Sequence, residues 1–117
     1  MKKLLITGLI LTCCMFISTL SFAQEEGSWT GEIVDLDCYI GNGLKGADHA
    51  TCAKTCITAG KPAGLLTDSG DVILLVAGDK ADVIAELAGQ KADITGKKSE
   101  KGGVTMIVVT DAKKSDV

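Results

Sequence analysis

The feature that most limits what this chain can fold into is its opening, where Lys2 and Lys3 precede an apolar run from Leu4 to Leu20 and Ser21-Phe22-Ala23 follows. A basic start, an apolar stretch and a small-residue end are the order of a secretory signal peptide. The stretch is interrupted by Thr7, Gly8 and Thr12 and is barely long enough to span a bilayer, so cleavage before Gln24 is expected. An uncleaved anchor and a lipoprotein modified at Cys13 are the competing readings, and Thr12 together with the apolar residues beyond Cys13 speaks against the second. Taking residues 1–23 from 117 leaves 94, enough for one modest core and not for two. The expectation is one domain over residues 24–117, periplasmic or secreted.

Cleavage also changes the charge and the cysteine count. Two of the 12 basic residues leave, so ten lysines face 15 acidic residues, and the chain has no arginine. Such a surface argues against nucleic acid and against anionic membrane as partners. Of five cysteines, Cys13 and Cys14 leave, and Cys38, Cys52 and Cys56 remain in an oxidising compartment. An odd count leaves at least one thiol without an internal disulfide partner. A metal, an intermolecular bridge, a reactive thiol or simple burial would each account for it.

The remaining pattern alternates short apolar runs with glycine-rich punctuation. Trp29 to Leu36 reads as a first strand after a loose acidic start, and Cys38 sits just past its end. Gly41 to Gly46, with three glycines in six residues, reads as a loop. Asp48 is a good N-cap, and Gly60 followed by Pro62 a good stop, for a helix from about His49 to about Ala59. Gly64 to Thr67 and Val72 to Val76 flank a turn at Asp68-Ser69-Gly70, the second strand reading as buried on both faces. Asp79 can cap a second helix carrying Val83, Ile84, Leu87 and Ala88 up to Gly89. Ala92 to Gly96 and Val104 to Val109 form a last hairpin, with a polar, frayed tail from Asp111. Five strands with a helix between the third and fourth are the order of a small OB-type barrel. The expected fold is therefore mainly β with two helices (α+β), an OB-like five-stranded barrel with the Cys/His-bearing helix inserted after its first strand.

That inserted helix carries the chemistry. At offsets i, i+3 and i+7, His49, Cys52 and Cys56 fall at roughly 0°, 300° and 340° around a helix axis and share one face. With Cys38 they make the Cys3His set of a tetrahedral zinc site, and soft thiolates would also suit copper(I). The Cys-x3-Cys spacing is not the usual Cys-x2-Cys zinc knuckle, nor a thioredoxin or c-type haem motif. The rival reading is a disulfide from Cys38 to Cys52 or Cys56, which would close a loop of about 15 residues and add on the order of 3 kcal/mol. Cys52 to Cys56 is a poorer bridge, because neighbours one turn apart do not readily reach the torsion. Asp35 and Asp37 could support His49, although a solvated strand end explains them more simply. Tyr39 reads as packing on the barrel end, and Trp29 and Met106 as core or rim. No esterase elbow, phosphate loop or facial triad is present, and a Cys52–His49 pair lacks a third orienting group, so a non-enzymatic role is expected.

The pattern Gly31-x-Ile33-Val34-Asp35-x2-Cys38-Tyr39, then His49-x2-Cys52-Ala53-x2-Cys56-Ile57-x2-Gly60-x-Pro62-x-Gly64-Leu65-Leu66, resembles a group of small exported bacterial proteins of unassigned function. The resemblance implies an exported bacterial domain in which Cys38, His49, Cys52 and Cys56 act together. Copper-delivery proteins of the thioredoxin-like type also use a Cys-x3-Cys pair with a histidine. The present chain is too short for that fold and carries its histidine ahead of the cysteines. Three functions stay open: binding of zinc or copper through Cys38, His49, Cys52 and Cys56, a disulfide-stapled domain that binds an exported protein or a small ligand, and a thiol redox protein.

Overall fold

Residues 24–117 are described by a computed structural model; the signal peptide expected at 1–23 lies outside them. The architecture is α+β, with five strands and three short α-helices: β1 (Glu25–Asp35), α1 (Leu36–Asn42), α2 (Ala50–Thr58), β2 (Ala63–Leu66), β3 (Val72–Val76), α3 (Ala81–Glu86), β4 (Lys91–Lys101) and β5 (Val104–Lys114). A 3-10 turn precedes each of α2 and α3, at Ala47–His49 and Gly78–Lys80. The strands pair in the order β1-β2-β3-β5-β4, and β4 pairs back onto β1, so the sheet closes on itself. All pairings are antiparallel except β3 with β5, where Leu74 faces Met106 and Val76 faces Val108.

Alternation along the strands puts one apolar set inside. Ile33, Leu65, Ile73, Leu75, Ile94 and Ile107 are buried in one cluster, joined by Ala53 and Ile57 of α2 and Ile84 and Ala85 of α3. Trp29 packs against this cluster from its edge, with the Lys98 ammonium 5.1 Å from its ring centroid. A second, smaller cluster of Val34, Leu36 and Leu66, with Tyr39 packed on it, seats α1 against the sheet. Gly64 makes that seat possible, because a Cβ there would run into the Leu36 side chain.

Several sequence expectations are corrected. Among the described residues there are three α-helices and not two: the glycine-rich stretch after Cys38 is partly helical, because Asp35 caps α1 and Gly43, at φ 69°, terminates it. Asp48 is not the cap of α2; it lies in the 3-10 turn, and His49 occupies the cap position without a side-chain cap bond. Asp79 likewise falls in a 3-10 turn. The start at Glu25 and the tail to Lys114 are paired strand, not loose ends, with Glu25 opposite Lys98 and Ile94 opposite Ala112. The strand buried throughout its length is β2, while β3 alternates. The stop of α2 is as expected: Gly60 (φ 98°) donates to the Ile57 carbonyl and Lys61 to that of Cys56, the two bonds of a Schellman cap.

Candidate metal centre

The end of β1, the first turn of α1 and the start of α2 converge on one point. There Asp35, Cys38 and His49 each place one potential ligand atom within 4.8 Å of the others. The backbone explains the meeting. Asp35 is the last residue of β1 and the N-cap of α1, its Oδ1 accepting from the Asp37 amide at 3.0 Å. Cys38 follows in the first turn of α1, so the carboxylate and the thiol are held side by side by one cap. His49 arrives from the other side, at the junction of the 3-10 turn and α2.

The loop bearing His49 is held in place by backbone. Gly46 donates to Glu32 Oε2 at 2.8 Å, and the His49 amide donates to the Gly46 carbonyl at 3.1 Å. Across from it stands Gly89 (φ 76°), whose own amide donates to Ile33 at 2.8 Å. A Cβ at Gly89 would lie 2.6 Å from the Ala50 Cβ and 2.9 Å from the Gly46 carbonyl oxygen. That close approach presses the 46–50 loop against the end of α3 and fixes where the imidazole sits.

Burial and protonation set the chemistry. Asp35 is 1% exposed, Cys38 and His49 are half-buried, and both Asp35 Oδ2 and His49 Nε2 are buried without a hydrogen-bond partner among the described residues. The Cys38 thiol is pushed up from 9.0 to about 11, first by hydrogen bonding to Asp35, then by burial and by the Asp35 charge. Cys56 is raised for the same reasons in the same order, with Cys52 adding to the effect. Sulfur is a weak donor, and these thiol contacts do not give Oδ2 a partner of regular geometry. Asp37, by contrast, is exposed and pairs with Lys61 at 3.0 Å, an ion pair in water that contributes little to stability.

Of the four ligands read from the sequence, the structure brings Cys38 and His49 together, sets Cys56 against Asp35, and leaves Cys52 exposed beside Cys56. Cys38, Cys52 and Cys56 are all free. The residue that sequence reasoning undervalued is Asp35, read as a solvated strand end and found buried at the centre. The available signal was the spacing Asp35-x2-Cys38, which becomes a cap and first turn once α1 is recognised. Tyr39 packs as expected and also borders a separate polar cleft of about 370 Å³ with Lys45 and Lys91. Comparison of the chain with protein-family models, curated proteins and solved structures finds no match.

Proposed function

We propose that this domain binds a borderline metal ion, zinc before copper, through Asp35, Cys38, His49 and Cys56. The reading rests on one observation above the others: a buried carboxylate oxygen and a buried imidazole nitrogen, both without partners, in residues that share a 4.8 Å cluster with a thiol. Burying a carboxylate that one backbone amide and two weak thiol donors hold costs several kcal/mol, a cost that stability alone gives no reason to keep. A divalent cation removes it. It also reverses the protonation logic, because an ion that binds thiolate displaces the protons that Asp35 otherwise holds on Cys38 and Cys56. The Asp35 oxygen favours zinc, which accepts carboxylate, imidazole and thiolate together, over copper(I), which prefers an all-soft set.

The fold assignment that goes with this reading is an OB-type barrel in an exported protein. The closed order β1-β2-β3-β5-β4, the parallel β3–β5 pair and α3 between β3 and β4 support it. The signal-peptide pattern supports export. Among the described residues no helix is long and apolar enough to cross a membrane.

Intact mass under native conditions, on protein purified without reductant, tests the binding reading. One stoichiometric zinc with all three thiols free is the expected result. A two-dalton loss, one free thiol and no ion would contradict it and establish the disulfide staple instead.

A further inference from the structure

We propose that Cys52 is the exchange ligand of this site, the thiol that first takes an ion from its carrier and hands it inward to Cys56, Cys38, His49 and Asp35. The inference rests on the metal-binding reading above. Its ground is a gradient of exposure along one helix face. Cys52 and Cys56 lie one turn apart within α2, at i and i+4, and His49 caps its start, so the Cys52 side chain stands on the same side of α2 as the site. Yet Cys52 is exposed, Cys56, Cys38 and His49 are half-buried, and Asp35 is almost fully buried.

Leu36 and Tyr39 pack α1 onto the sheet, and Gly89 closely approaches Gly46 and Ala50 on the α3 side. Of the three thiols beside the site, Cys52 is the one that stands exposed. One helical turn along α2, at i and i+4, sets it beside Cys56. The second observation that gives this exposed thiol a destination is the pair of unpartnered buried atoms behind it, Asp35 Oδ2 and His49 Nε2.

Zinc exchanges ligands by passing through an expanded coordination shell. Cys52 Sγ–H releases its proton to water, and its lone pair forms a Zn–S bond as one bond from zinc to the carrier breaks. Cys56 then releases its own proton and bonds the ion. Cys52 takes a proton back as its bond to zinc breaks. The ion remains divalent throughout, and no electron is transferred.

The test compares wild type with Cys52→Ser, Cys52→His and Cys56→Ser, each loaded with Zn²⁺ alone. Equilibrium competition with a chromophoric chelator gives affinity, and rapid mixing with excess chelator gives the rate of zinc loss. Cys52→Ser is expected to hold affinity within about threefold while slowing transfer by about tenfold or more, and Cys52→His, which restores a donor, to recover most of the rate. An unchanged transfer rate in Cys52→Ser would overturn the proposal. So would an affinity loss as large as that of Cys56→Ser, which would make Cys52 a permanent ligand. Wild type that takes up no zinc would defeat the underlying metal reading, an outcome distinct from either.

Discussion

The interior of the closed sheet and the junction of β1, α1 and α2 lie a few residues apart on the same strand and follow opposite rules. At Ile33 the chain enters a cluster in which every buried side chain is apolar. Two residues later, at Asp35, it buries a carboxylate oxygen with no partner. The first region is what hydrophobic burial selects. The second works against stability, a cost that the proposed ion would offset. A fold of this size gains its stability from the sheet and holds a buried polar site at the rim, where helix caps can aim side chains that strands would point elsewhere.

The largest effect expected from breaking this contrast lies in the core. Leu65→Ala or Ile33→Ala, each at a position with no exposure, should cost about 2–5 kcal/mol in denaturant unfolding. Neither should alter which ion the survivor binds. Gly89→Ala comes next, since it combines a positive φ with a Cβ driven into Ala50 and Gly46. A loss of about 2 kcal/mol is expected, together with weaker zinc binding because the His49 loop must shift. A full stability loss with unchanged zinc affinity would show that this packing does not position His49.

Asp35→Asn sharpens the contrast most, because Asn keeps the helix cap and removes the buried charge. The metal-free protein should be as stable as wild type within about 1 kcal/mol, or more stable, whereas zinc affinity should fall by about tenfold or more. Equal losses in both would make Asp35 a structural residue only. The smallest effect is the pH dependence of the metal-free protein. The folded state holds the Cys38 proton more tightly than the unfolded state. Its contribution to stability is therefore fully present below pH 9.0 and lost as pH rises from there through about 11. The melting temperature should decline across that window, and Cys38→Ser should flatten the decline. A slope unchanged in the variant would place the titration elsewhere.

Strand centres were legible in the sequence because burial wrote them plainly: Ile73 and Leu75 in β3, Ile94 in β4 and Ile107 in β5 mark their strands. Their ends were not, since β4 beyond Gly96 and β5 beyond Val109 run on through mostly polar residues that carry no alternating apolar pattern, although they stay paired in the sheet. The helix α1 was hidden by glycines that read as a loop, although Gly43 is its terminator. In the site, His49 and Cys38 were visible from residue type and spacing. Asp35 was not separable from Asp37, because two carboxylates two residues apart look alike until a cap turns one inward and leaves the other facing Lys61. Cys52 was grouped with Cys56 by helical period, which gives direction around the axis but not depth.

X-ray absorption of the zinc-loaded protein tests the central claim most directly, because it counts the donors around the ion. Two sulfurs at about 2.3 Å with two nitrogen or oxygen neighbours at about 2.0–2.1 Å is the shell expected from Cys38, Cys56, His49 and Asp35. In Asp35→Asn the light-atom part of that shell should change while both sulfurs stay. A three-sulfur shell that is untouched by substitution of Asp35 would contradict the account.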